Sequence, residues 1–309
     1  MRLIFMGTPE AAVPTLRRCL ENGHEVVAVW TQPDRPAGRG NKLTQPPVKD
    51  YALRRGLTVH QPAKIKTAEA HALFASYEAD AAVVVAYGRI LPPSYLNAPR
   101  RGCINVHFSL LPKYRGAAPV NWAIARGESV TGVTTMRMDE GLDTGAILLQ
   151  RETGIIEAET APELMRRLAS VGADLMGETL ARLDEIAPRA QREEDATLAP
   201  MLRREDGLVD WSQAAFEIER RVRGFQPWPN AHTSFDARRV IIWRARAERA
   251  EQGVGATGQI IEAHGDNLIV ACGEQTVLRI LEIQPEGKRR MSVRDFLNGT
   301  RARAGERFG

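Results

Sequence analysis

Along the first half of the chain, short apolar runs alternate with stretches of helical spacing. Leu3–Met6 is followed by a helical segment over about 11–21 and then by Val26–Trp30, bounded by Gly23 and by Thr31-Gln32-Pro33. Ala81–Ala86 contains no polar residue, and Cys103–Val106 and Val133–Met136 continue the series, with a helix predicted over about 119–126 between them. Strands covered on both faces have no solvent side to make polar, so such runs read as strands buried in a parallel sheet. Their alternation with helices predicts βαβ units and an α/β, doubly wound, mostly parallel sheet. A long helical pattern over about 161–186 closes this half.

Beyond it the texture changes. The stretch to about residue 205 is polar, charged and interrupted by Pro188 and Pro200, and reads as a linker. Short strands with turn signals follow at Thr233–Phe235, Val240–Trp243, Gln259–Ile261, Asn267–Val270 and Thr276–Leu278, the pattern of a small β-barrel. A chain of 309 residues exceeds what one hydrophobic core usually fills. The expected division is a Rossmann-like domain over 1–189, a linker over 190–205 and a barrel domain over 206–309.

Composition narrows the class only modestly. No apolar run approaches the roughly 18 residues of a membrane span, and the apolar stretch at Leu3–Met6 is too short for the core of a signal peptide, so a cytoplasmic protein with no membrane partner is expected. The 3 cysteines are odd in number and widely spaced, and the 6 histidines form no ligand pattern, so neither a disulfide framework nor a metal site is expected. A formal net charge of +4 decides nothing about partners, but its distribution does. Arg35, Arg39, Lys42 and Lys49 stand against only Asp34 in one loop, and Lys288, Arg289, Arg290, Arg294, Arg301, Arg303 and Arg307 gather near the C-terminus. Such clusters suit a phosphate backbone, or simply a solvated charged surface.

Parallel α/β sheets bind ligands at the carboxyl ends of their strands, which directs attention to the residues after each apolar run. Gly7-Thr8-Pro9-Glu10 after the first run reads equally as a tight turn or as a helix N-terminus open to an anion. It lacks the glycine fingerprint of a dinucleotide site. Tyr87-Gly88-Arg89-Ile90-Leu91 after the third run reads as a plain loop or as the wall of a flat ring. Asn105-Val106-His107 differs in kind, because a period of two puts the amide and the imidazole on one face of a strand, where both can reach one reacting atom. The carboxylates of Met138–Gly145 follow another strand on a glycine-jointed loop, and one of them can fix the histidine.

With Asn105, His107, Ser109-Leu110-Leu111-Pro112 and the downstream Asp143, the sequence resembles the folate-dependent formyltransferase family. Pro112–Pro119 and Gly141–Gly145 extend the match, and Thr31–Leu43 resembles the inserted basic loop of those members that act on methionyl-tRNA. Val222–Pro229 and Gln284–Ser292 resemble the oligonucleotide-binding (OB)-like barrel of the same enzymes. One departure is Phe108, where a small residue is expected and where a large one would reshape the folate pocket.

The resemblance implies transfer of a formyl group from 10-formyltetrahydrofolate, as co-substrate, to the α-amine of initiator methionyl-tRNA, by direct attack through a tetrahedral intermediate. It assigns catalysis to Asn105, His107 and Asp143, with Asn105 and His107 stabilising the oxyanion and Asp143 holding the histidine or a bridging water. Folate would lie against Ser109, Leu110, Leu111, Pro112, Tyr87, Gly88, Ile90, Leu91 and Asp139, and tRNA against Arg35, Arg39 and Lys42. No metal and no oligomer beyond a monomer are implied. A small-amine formyltransferase and a formate-releasing hydrolase share the site chemistry, but they leave the basic insert and the second domain without a purpose. A pure RNA-binding module leaves Asn105, His107 and Asp143 without one.

Overall fold

The structure is a computed structural model and describes residues 1–37, 42–250 and 255–309. The chain folds as two compact units. One comprises Met1–Gly116, Val130–Gly154 and Met165–Ala199, and the other Ala117–Ser129, Ile155–Leu164 and Pro200–Gly309.

The first unit opens with β1 (Arg2–Gly7), α1 (Val13–Glu21) and β2 (Glu25–Trp30). A hairpin of β3 (Arg35–Ala37) and β4 (Lys42–Thr44) follows, then α2 (Pro47–Arg54), β5 (Val59–His60), α3 (Ala68–Ala75), β6 (Ala81–Val85), α4 (Pro93–Leu96) and β7 (Cys103–His107). After α5 (Pro119–Ala125), which groups with the second unit, come β8 (Val130–Arg137), β9 (Ile147–Gly154) and the long α6 (Ala161–Ala181). The main sheet has the order β5-β2-β1-β6-β7-β8-β9.

Every residue of β6 is buried, as its unbroken apolar run requires. On α1, Val13, Leu16 and Cys19 recur at three-residue spacing and are buried, while Thr67 caps α3 by accepting the Ala70 N–H. The sheet is parallel as far as β7, but β8 runs antiparallel to β7 and β9 antiparallel to β8. The strand expected to continue the βαβ series at Val133–Met136 therefore reverses it. A parallel return needs a crossover laid along the sheet. The helix in this connection packs instead on α7 (Ala215–Gly224), where a Cβ at Gly224 would sit 2.8 Å from the Asn121 carbonyl oxygen.

In the second unit α7 precedes β10 (His232–Phe235), β11 (Arg238–Arg249), β12 (Ile260–His264), β13 (Asn267–Ala271), β14 (Thr276–Pro285), β15 (Met291–Ser292) and α8 (Val293–Gly299). These strands form one antiparallel sheet, ordered β10-β11-β14-β13-β12 with β15 on β14. Where a barrel is expected, the ladders run from β10 to β12, and no ladder joins those two ends among the described residues. Trp211, Ile218, Ile242, Leu268, Leu278 and Phe296 share its core. No helix among the described residues is long and apolar enough to cross a membrane.

Candidate active site

On β7, Cys103, Asn105 and His107 share one face and Ile104 and Val106 the other. Cys103 joins the apolar core of Trp30, Val84, Tyr87 and Tyr95, and burial there pushes its thiol up to about 12. Beyond it stand Asn105 and His107, only 8% and 6% exposed, beside Met136 and Thr134 of β8. None of the described residues hydrogen-bonds the Asn105 amide. A buried carboxamide in that state has donors to spare for a ligand.

His107 is held from both sides. Its Nε2 lies 2.9 Å from the Tyr114 carbonyl oxygen, and its Nδ1 lies 3.6 Å from Asp143 Oδ2. A carbonyl only accepts, so Nε2 is the ring's donor on that side and Nδ1 is the nitrogen that faces Asp143. Asp143 Oδ2 also accepts the Gly116 N–H at 2.9 Å. Tyr114 and Asp143 both adopt left-handed backbone conformations, with φ of 62° and 55°. Such conformations are costly for residues other than glycine, and they persist where the surroundings fix them.

Several surrounding residues do this. Thr197 Oγ1 accepts the Tyr114 N–H at 2.9 Å, and Arg115 pairs through its backbone with Thr197 and Ala199. The Gln191 amide donates to the carbonyls of Asp143 and Gly145, at 2.7 and 2.8 Å. The buried Arg115 guanidinium donates to Gln191 Oε1 and grips Glu193 with two further bonds, holding that carboxyl below its usual range. Sequence reasoning passed over Gln191, Glu193 and Thr197, which lie in the polar tract with no periodic signal. Arg115 was visible only as part of a motif.

The Ser109–Pro112 turn is laced from β8 and β9. Ser109 is fully buried, and its hydroxyl donates to the Lys113 carbonyl at 2.6 Å, while Thr134 Oγ1 donates to the Ser109 carbonyl and accepts the Leu111 N–H. Gln150 Nε2 donates to the Leu111 carbonyl at 2.8 Å. Leu111 packs with Met136 and Ile147, Leu110 lies against Gly132, and Pro112 accepts the Thr197 N–H through its carbonyl. Asp139 is exposed and shapes its loop by accepting the Gly141 N–H and the Thr144 hydroxyl.

At the end of β6, Tyr87 and Leu91 are core residues, Gly88 has a φ of +80°, and Ile90 is 72% exposed. Burial pushes the Tyr87 phenol up to about 12. Gly7-Thr8-Pro9-Glu10 opens a helix, because Pro9 caps a single 3-10 turn at Glu10–Ala12 that runs directly into α1. A Cβ at Gly7 would fall 2.8 to 3.0 Å from Phe5, Ala12 and the Val85 carbonyl oxygen, and Thr8 Oγ1 donates to the Tyr87 carbonyl.

Phe108, the departure from the family pattern, is buried against α6. Its ring lies on the opposite face of the sheet with Val106, against Gly172 of α6, where a Cβ would come 2.8 Å from Val106 and 3.5 Å from Phe108. Of the basic insert, Arg35 stands exposed on β3, Lys42 is described only as backbone on β4, and Arg39 lies outside the described residues. Lys49 is already engaged, with Nζ 2.7 Å from Asp34, which this lysine and Gln61 hold below the usual carboxylate range. Among the described residues no group of three or more His, Cys, Asp or Glu side chains could hold a metal ion.

The formyl transferase family matches residues 1–180, and its C-terminal domain matches residues 201–301. A methionyl-tRNA formyltransferase of Acidobacterium capsulatum is 52% identical over the full length of both chains. In fold, the chain is similar to an N-formyltransferase of Helicobacter canadensis, solved with folinic acid and dTDP-3-aminofucose. That likeness has a TM-score of 0.67 at 20% identity and covers 92% of this chain and 98% of the other. A methionyl-tRNA formyltransferase of Clostridium thermocellum gives a TM-score of 0.57 at 19% identity, over 80% and 93% of the two chains. The chain belongs to the formyl transferase family and is an enzyme of its methionyl-tRNA formyltransferase group.

Proposed function

We propose that this enzyme moves the formyl group of 10-formyltetrahydrofolate directly to the α-amine of initiator methionyl-tRNA, through a tetrahedral intermediate and with no acyl-enzyme. The observation that carries the reading is the pairing on one face of β7 of an unengaged amide, Asn105, with an imidazole, His107, whose Nδ1 faces Asp143.

The chemistry follows from these positions. The amine nitrogen forms a bond to the formyl carbon, and the carbonyl electron pair moves onto oxygen, where the Asn105 amide donates to it. The attacking amine then carries an extra proton. His107 takes it at Nδ1, and the imidazolium so formed is stabilised by Asp143 beside it and by its Nε2–H bond to Tyr114. Collapse of the intermediate breaks the bond to the folate nitrogen, which leaves with the proton from Nδ1. This gives His107 the part of proton carrier rather than oxyanion donor, because its other nitrogen is committed to the Tyr114 carbonyl.

Folate would lie on this face, against the Ser109–Pro112 turn, the Tyr87–Leu91 segment and the loop of Asp139. Exposed Arg35, with Arg39 and Lys42, would meet the tRNA backbone. In this reading residues 1–189 carry the transfer, 190–205 join the halves, 206–309 bind tRNA, and the enzyme acts in the cytoplasm as a monomer. The test is formyl transfer from 10-formyltetrahydrofolate to initiator methionyl-tRNA, with elongator methionyl-tRNA and free methionine in parallel. Transfer to the initiator alone is expected. Folate turnover without tRNA formylation would redirect the assignment to small amines or hydrolysis.

A further inference from the structure

Asp143 sits on an exposed, glycine-jointed loop, yet its carboxylate must be placed to within a fraction of an ångström beside His107 Nδ1. Little in the loop itself provides that. The Asp139 turn orders residues 139–144, and beyond it the backbone at Asp143 and Gly145 is fixed from outside. Arg189 and Ile147 exchange both backbone hydrogen bonds at 2.8 Å, an antiparallel pairing that brings residue 191 across from residue 145. There the Gln191 side chain spends both amide hydrogens, one on the Asp143 carbonyl and one on that of Gly145, while its own carbonyl accepts from Arg115 Nε at 3.0 Å. All of its polar capacity is thus directed at site backbone on one side and at the motif arginine on the other.

We propose that Gln191 is a positioning residue for formyl transfer: it holds the Asp143 backbone so that the carboxylate faces His107 and accepts the Gly116 N–H. The inference rests on the assignment of Asp143 to the reaction. A glutamine suits the task because it offers two donors and one acceptor on a planar group. Its donors meet two carbonyls that lie just before β9, one of them that of the left-handed Asp143. Glu193 completes the clamp by fixing the far side of Arg115. A displacement of about 1 Å in a reacting constellation costs on the order of a hundredfold in rate, so the loss of these two bonds should appear in turnover rather than in binding.

The test uses Gln191→Glu and Gln191→Met in the full-length enzyme. The first keeps the shape and the contact to Arg115 but turns both donors into acceptors facing carbonyl oxygens. The second keeps the length and removes all three bonds. In both, kcat should fall at least tenfold with KM for folate and for methionyl-tRNA within about threefold of wild type. Amide hydrogen exchange at Gly116 should quicken at least tenfold while the exchange of β6 stays unchanged. A kcat within twofold of wild type in both variants, or a loss of kcat with unaltered Gly116 exchange, overturns the proposal. Asp143→Asn, measured alongside, separates the two claims. If that variant retains full turnover, the role of Asp143 falls, and Gly116 exchange alone decides whether Gln191 positions the loop.

Discussion

His107 Nε2 lies 2.9 Å from the Tyr114 carbonyl oxygen, which occupies that nitrogen and leaves Nδ1 as the one facing Asp143. Since the carbonyl only accepts, Nε2 carries a proton, and Nδ1 stands 3.6 Å from Asp143. The separation is too long for a hydrogen bond, but it shortens readily to an ion pair once Nδ1 is protonated.

Asp143→Asn should leave the Gly116 N–H bond in place through the remaining amide oxygen while removing the charge that stabilises the imidazolium. Acid–base catalysis typically contributes about 10²–10⁴-fold, and a loss of kcat in that range is expected, with folate affinity nearly unchanged. Steady-state kinetics with titrated folate binding checks it. A weakened folate affinity with normal turnover would place Asp143 in binding instead.

Phe108→Ala should cost stability and not folate recognition. The ring is 6% exposed and lies against α6, so truncation leaves a cavity worth about 3–5 kcal/mol. Denaturant unfolding should show that loss while KM for folate stays within about twofold. An altered KM with little change in stability would return Phe108 to the pocket.

Acidification should destabilise the fold before its carboxylates titrate. His24, His60 and His232 are all held below the ordinary histidine value, chiefly by burial, so the unfolded chain binds protons more readily than the folded one. Their contribution is fully present above pH about 6.5 and is lost as pH falls through the depressed folded values. Unfolding free energy measured from pH 7.5 to 5 should therefore decline. His60→Phe, which keeps the ring beside Trp30, should flatten that decline, and an unchanged slope would contradict the assignment for His60.

Binding of tRNA should weaken with salt, and unequally between the insert and the basic residue on α2 that follows it. Arg35 is exposed, so Arg35→Ala should reduce the slope of log K against log salt by about one. Lys49 is already paired with Asp34, so Lys49→Ala should change the slope far less. Equal changes for the two would mean that the ion pair opens when tRNA binds.

The parts of this molecule legible in the sequence are those governed by periodicity. The apolar runs at Leu3–Met6, Val26–Trp30, Ala81–Ala86 and Cys103–Val106 are strands of one sheet, and a period of two placed Asn105 and His107 on one face. Other features escaped because they depend on contacts that no local pattern encodes. The reversal at β8 is a choice of strand pairing between β7 and β8, thirty residues apart in the chain. Phe108 packs with Val106 against α6, a face that the period of two implied but whose covering helix lies some sixty residues on. Gln191 is one polar residue in a charged tract, and only its pairing across Gly145 gives it meaning. The contact of His107 Nε2 with a backbone carbonyl seven residues on was likewise invisible in the sequence.

The central claim is that the Asn105 amide meets charge that exists only after the amine has attacked. The most direct measurement is single-turnover formyl transfer at saturating folate and methionyl-tRNA, comparing Asn105→Ala with wild type, with folate affinity determined on the same preparations. Loss of one preorganised oxyanion donor typically costs about 10²–10³-fold, so a fall of roughly that size with folate affinity within about threefold is the expected result. A single-turnover rate within a few-fold of wild type would contradict the account.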